Sequence, residues 1–271
     1  DATIYGDAIV PETWSWEDIG NYFGAGPCGL SVYDNMYTLY FNTGSNIGDP
    51  TVITKIEPEI PGLEIDNQVI SDKVYSDRSY IFGAPYTYFR YINGELPLNR
   101  TDYRVKGSLP DPAYFTAYEL KRKLKAYGIG SSEATTFRIL GETVIDTLKR
   151  VDLKTIKSPA IEDIIERTNF RSINLFSEHL LRHSQLKACG FDITKINKNF
   201  VENFWSRRGI SSLGMRIYDG SGLSKYNTVT PKQVVSILKY MRKNSKHSEV
   251  FYESIPVVGK NGTVKNICKG T

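Results

Sequence analysis

Ser172 and Asn174 stand two apart in FRSINLFSEHLLR, residues 170–182, just ahead of an apolar run. A hydroxyl can pass a proton, and a carboxamide can both donate and accept a hydrogen bond. In a non-helical link, side chains at i and i+2 project the same way, so the pair could enter one cleft together. The same residue types are also preferred helix caps, and a helix starting near Leu175 could use them so. A second constellation is YDGSGLSKYN, residues 218–227, where Asp219, Gly220, Ser221 and Gly222 precede Leu223. It reads either as a tight turn with Asp219 bonding backbone amides or as the lining of a site. Glu178 falls four residues after Asn174 and four before Arg182. That spacing suits a surface pair with Arg182, or a carboxylate that fixes the backbone around Ser172 and Asn174.

Two SxxK strings occur, Ser184 to Lys187 and Ser236 to Lys239. About one or two such strings arise by chance in a chain this rich in both residues. No metal or other cofactor is expected. Cys28, Cys189 and Cys268 form no CxxC pair, and His179, His183 and His247 lack a set of further ligands. The net charge of +4 is scattered, and its densest cluster, KRKLK at 121–125, reads as the wet face of a helix, so nucleic acid is not an expected partner. No run of about eighteen apolar residues could span a bilayer as a helix.

These residues must be placed by two kinds of segment. Residues 1–29 are aromatic and turn-rich, with Trp14 and Trp16 expected to pack. From residue 30 to 106 the text is strand-like, and Asn93–Gly94 sits where a type I′ hairpin wants it, so a small, mostly antiparallel unit with neighbouring ends is expected. Helical spacing follows. Asp111 and Pro112 start one helix, with Ala117, Leu120, Leu124 and Tyr127 as its stripe and Gly128 at its end. Ser158 and Pro159 open another, with Ile161, Ile164 and Ile165 as its stripe, interrupted at Asn169 and Phe170. Ile196, Phe200 and Phe204 mark a further helix ended by Gly209, and Thr230 with Gln233 forms a capping box around Pro231. The opening DATIYGDAIVP reads as the middle of a strand and its loop, no leader is visible, and VGKNGTVKNICKGT ends without a cap, so a fragment of a longer protein is expected.

SINLFSEHLLR, then DGSGLSKYNTVTP, then IPVVGKNGTVKN, in that order, resemble the penicillin-recognising D-alanyl-D-alanine carboxypeptidases of peptidase family S13, the class C penicillin-binding proteins. WSWEDIGNYFGAG and LPDPAYFTAYELKRKLKAYGI agree, so the resemblance runs through nearly all 271 residues. It implies an α+β fold, part of a transpeptidase (β-lactamase-like) core of antiparallel sheet and helices with inserted β-rich domains. Residues 30–106 would be the inner insertion, 1–29 and 107–140 parts of the outer one, and 141–271 an incomplete catalytic domain. It implies that Ser172 relays a proton to the departing D-alanine, that Asn174 orients substrate, and that residues 219–222 pack close to the site. Ile173 stands where the broader group often has Asp. The family nucleophile belongs to an SxxK ahead of this motif, which sets aside Ser184 and Ser236. Its KTG motif is absent too, since Lys260, Asn261 and Gly262 align with the GxxGT loop that precedes it.

The implied partners are peptidoglycan stem peptides and β-lactams, the implied location periplasmic or extracytoplasmic, and a homodimer is among the states allowed. A non-catalytic peptidoglycan-binding relative is the alternative.

Overall fold

The computed structural model describes residues 2–5, 9–137, 154–192 and 195–268. It divides into two compact units, Asp1–Glu142 and Thr143–Thr271.

The first unit is built on six strands: β1 (Met36–Asn42), β2 (Val52–Glu57), β3 (Glu64–Asp72), β4 (Tyr80–Phe82), β5 (Phe89–Pro97) and β6 (Tyr103–Ser108). Period-two alternation decides which side chains face inward. Along β1 this sends Tyr37, Leu39 and Phe41 into the core, where they meet Val69, Ile81, Ile92, Leu96 and Val105. One sheet runs β2-β1-β6, antiparallel throughout. The other runs β3-β5-β4 and is mixed, because β3 lies parallel to β5 while β4 is antiparallel to it. Three of the four strand pairings are antiparallel, as expected of a mostly antiparallel unit, and β3–β5 is the exception. Met36 pairs with Ser108, which brings the two ends of the strand region side by side.

Asn93 and Gly94 do not turn the chain. They lie inside β5, opposite Gln68 and Val69. Gly94 adopts a φ of 116°, and a Cβ there would stand 2.4 Å from the Arg78 carbonyl oxygen. The glycine serves a close approach of the 78–79 backbone, a need that sequence cannot distinguish from a hairpin.

A short helix, α1 (Trp16–Ile19), is tied to this body by Asn21, which is buried. Its amide nitrogen donates to Glu17 O at 2.6 Å, and its oxygen accepts the Ile81 N–H at 3.0 Å. Trp14 is buried, whereas Trp16 stays more than half exposed beside Phe82. Helix α2 (Pro112–Ala126) starts as expected: Asp111 accepts the Tyr114 N–H at 3.0 Å, Pro112 follows, and Gly128 ends the run at positive φ. Its buried face differs from the expected stripe. Ala113, Phe115 and Glu119 point inward, while Leu120 and Tyr127 are exposed, since Phe115 is the side chain that joins the strand core.

The described residues of the second unit form helices α3 (Ile161–Arg171), α4 (Asn174–Ala188), α5 (Phe200–Ser206), α6 (Pro231–Asn244) and α7 (Ser248–Glu253). Helix α3 starts after Ala160 rather than at Ser158, and it continues through Asn169 and Phe170 without a break. The capping box at α6 forms as read: Thr230 Oγ1 accepts the Gln233 N–H at 3.2 Å, and Gln233 Oε1 accepts the Thr230 N–H at 2.8 Å. No described helix is long and apolar enough to cross a membrane.

Replacing Asn21 with alanine leaves the Ile81 N–H without its buried acceptor and removes the tie to the Glu17 carbonyl, a loss of about 1–3 kcal/mol. Denaturant unfolding of Asn21→Ala should show that loss in the transition of the first unit; a change below about 1 kcal/mol would mean that the two groups find other partners.

Candidate active site

Ser172 and Ile173 form a two-residue corner between α3 and α4, and Asn174 follows directly on it. Thr168 O accepts the Ser172 N–H and also the Ile173 N–H, the latter at 3.2 Å, which closes α3 in a turn that usually ends on glycine. Here the left-handed residue is Ser172, at φ 53° and ψ 53°. A non-glycine residue in that region carries strain of about 1–2 kcal/mol. The Ser172 side chain is exposed. Asn174 is the first residue of α4, and the N-cap is Ile173, with no side-chain cap bond. Neither Ser172 nor Asn174 therefore acts as the N-cap of α4.

The loop at 219–222 is fastened to the same helix. Glu178, one turn beyond Asn174 and only 1% exposed, accepts the Gly220 N–H at 2.9 Å and the Ser221 N–H at 2.8 Å, both on Oε1. The loop backbone lies directly on α4: a Cβ on Gly220 would come within 2.4 Å of the Ser177 carbonyl oxygen. Asp219, also buried, folds back on its own loop and accepts the N–H groups of Gly222 at 2.9 Å and Ser224 at 2.6 Å. Its Oδ1 takes a third bond, from the Asn227 side chain at 2.7 Å. The turn reading of Asp219 is thus correct at the level of hydrogen bonds, and Gly222 supplies the positive φ, 84°, that the turn requires.

A third buried carboxylate enters from α5. Glu202 Oε1 accepts the Ile217 N–H at 3.0 Å. Five backbone N–H groups between residues 217 and 224 therefore end on carboxylate oxygens. Burial pushes the Glu178 carboxyl above the ordinary glutamate range; the Ser221 side chain and the two loop amides pull it back, and Asp219 adds to the rise. His179, the next residue, is pushed down to about 4 by burial and by the nearby Arg182 and His183, so it is neutral at pH 7.

Glu178 therefore reaches neither of the partners that its spacing suggests. Its carboxylate turns inward to the 220–221 amides rather than outward to Arg182 or back to the Ser172 corner. Glu202 and Asn227 are anchors that sequence reading missed, because buried carboxylates holding backbone amides have no fixed spacing. The GKNGT turn also comes to this corner. Gly262 packs against Pro256, its missing Cβ position 3.3 Å from Phe170 O, and Asn169 donates to Ser254 at 3.0 Å. Ser184 sits on the exposed side of α4, and the Ser236 hydroxyl is spent on Lys232 O at 2.8 Å. Among the described residues no group of three His, Cys, Asp or Glu side chains could hold a metal ion.

A strand-built unit followed by a helical unit makes this an α+β protein. The family model of D-Ala-D-Ala carboxypeptidase 3 (S13) matches residues 1–271, and the chain belongs to that family. It is 24% identical over 268 residues to penicillin-sensitive carboxypeptidase A of Dictyostelium discoideum, covering 95% of this chain and 50% of that protein. It is 24% identical over 276 residues to D-alanyl-D-alanine carboxypeptidase DacB of Haemophilus influenzae, covering 93% of this chain and 51% of that protein. The crystal structure of penicillin binding protein 4 (dacB) from Haemophilus influenzae superimposes with a TM-score of 0.69 at 18% identity, over 98% of this chain and 58% of that one. The chain thus spans about half the length of the curated relatives it matches.

The sign of the Glu178 shift gives a prediction. A carboxyl whose folded pKa is raised favours the folded state while protonated, and this contribution is lost as pH rises through the raised value. Glu178→Gln keeps Oε1 as an acceptor and removes the buried charge. At pH 8 it should unfold at the same denaturant concentration as the parent or a higher one, and from pH 5 to 8 its stability should fall less steeply. A variant clearly less stable at pH 8 would show that the charged form is the favoured one in the fold.

Proposed function

We propose that this chain contributes the second catalytic motif and its supporting loop to a serine-type D-alanyl-D-alanine carboxypeptidase and endopeptidase acting on peptidoglycan stem peptides. The observation that carries the reading is the seating of the 219–222 loop on the helix that begins with Asn174. It brings together, through a buried carboxylate, two segments that chemistry of this kind needs near one substrate. In this reading a serine oxygen supplied by the family's SxxK motif attacks the carbonyl between the two D-alanines. The C–N bond breaks, Ser172 passes the proton that the departing amine requires, and Asn174 holds the substrate amide. Water then cleaves the ester and restores the serine.

Family membership supports the reaction class. The strained Ser172 supports a role for its hydroxyl. Asp219, Gly220, Ser221 and Gly222 line the site in this reading through backbone placement, since the Asp219 carboxylate is occupied with loop amides. We read residues 30–106 as the inner inserted domain, 1–29 and 107–140 as parts of the outer one, and 141–271 as the catalytic portion. Peptidoglycan lies outside the cytoplasmic membrane, so an extracytoplasmic location goes with the substrate, and β-lactams are the expected inhibitors.

Intact-mass spectrometry after incubation with a β-lactam tests the reading. The 271-residue chain should gain no mass, because an acyl group needs a nucleophile that Ser184 and Ser236 do not provide. The product of the complete reading frame should gain one penicilloyl group. An adduct on the short chain that disappears in Ser184→Ala or Ser236→Ala would make that serine the nucleophile, and no adduct on the complete product would favour a non-catalytic binding protein.

A further inference from the structure

Glu178 lies on the face of α4 that carries Asn174, one turn along, and its two bonds end at Gly220 and Ser221. Both bonds use a single oxygen. Nothing in the turn itself needs the carboxylate, because Asp219 already closes that turn with its own bonds to Gly222, Ser224 and Asn227. What Glu178 adds is a fixed distance between the turn and the helix. Gly220 confirms the closeness: its backbone touches the Ser177 carbonyl in a gap that no side chain would fit. The Ser221 hydroxyl is buried beside the same carboxylate without a regular hydrogen bond to any group, so Glu178 also sets the surroundings of the loop's central side chain.

This arrangement is unfavourable as a purely structural device. Burial raises the Glu178 carboxyl, so its ionised form is held at the expense of the fold. A neutral acceptor of the same shape would fasten the loop equally well. Group placement that opposes stability is the pattern expected where geometry serves a reaction.

We infer that Glu178 is a positioning residue: through Oε1 it keeps the 219–222 loop in register with Asn174, so that substrate held by the loop meets the second motif. It touches no substrate itself. The inference rests on the proposed acyl-transfer reading for its kinetic consequence, and on the 271-residue chain alone for its structural one.

The test has two arms. In the 271-residue chain, amide hydrogen exchange at Gly220 and Ser221 is compared in the parent, Glu178→Ala, Glu178→Gln and Thr230→Ala, the last a capping-box variant that lowers stability without touching the loop. In the product of the complete reading frame, the rate of acylation by a β-lactam is compared in the same four proteins, resolved into the saturating rate and the half-saturating concentration. Glu178→Ala should speed exchange at the two amides at least about tenfold and lower acylation about 10²-fold, as a misplacement on the scale of an ångström does. Glu178→Gln should restore both to within about threefold, and Thr230→Ala should alter neither. The inference is overturned if Glu178→Ala acylates no more slowly than Thr230→Ala, or if glutamine is as damaging as alanine. If the parent product takes no β-lactam at all, the reaction reading fails, and the exchange arm still decides: unchanged exchange in Glu178→Ala would sink the coupling as well.

Discussion

The second unit depends on carboxylates that hold backbone. A backbone N–H turned toward the protein must find an acceptor, and outside helices and sheets it has few ways to do so. Between residues 217 and 224 the solution is three buried acids, Glu202 from α5, Glu178 from α4 and Asp219 from the segment itself. Each is a stronger acceptor than a carbonyl, and each carries a desolvation cost, which at Glu178 outweighs what its bonds return. Residues 217–224 use no strand pairing, yet they are joined to two helices and to themselves.

That fastening makes α4 the ruler of the site. Its first residue is Asn174, its second turn carries Glu178, and its buried Leu175 and Leu186 seat it in the unit. Just before it, Ser172 takes a left-handed conformation that glycine would adopt without strain. The corner and the loop are therefore both set by local compromises, one a strained serine and the other a buried acid. Such compromises fit a site whose chemistry constrains residue choice more than stability does.

The sequence made some of this legible. The capping box at Thr230 and Gln233, the start of α2 at Asp111 and Pro112, and the turn character of Asp219 are local signals, and local signals survive into structure because their partners lie within a few residues. Asn93–Gly94 misled for the opposite reason: whether a glycine turns or lets another chain pass depends on a segment some fifteen residues earlier, at Arg78 and Ser79. The stripe on α2 misled because amphipathic spacing marks a face, not what lies opposite it, and Phe115 outcompeted Leu120 for the strand core. Glu178 was noticed from its spacing to Asn174 and Arg182, but its true partners are more than forty residues away in the chain. The Ser172–Asn174 pair was legible as a candidate; the αL geometry of its serine was not.

The central claim is that a buried, proton-favouring Glu178 carboxyl holds the loop to the motif helix. Carbon-13 NMR titration of that carboxyl, followed together with the Gly220 and Ser221 amide protons, tests it most directly. The account predicts a midpoint above the ordinary glutamate range, with both amides moving at the same midpoint. A carboxyl titrating at or below the ordinary range, or amides that ignore it, would contradict the account.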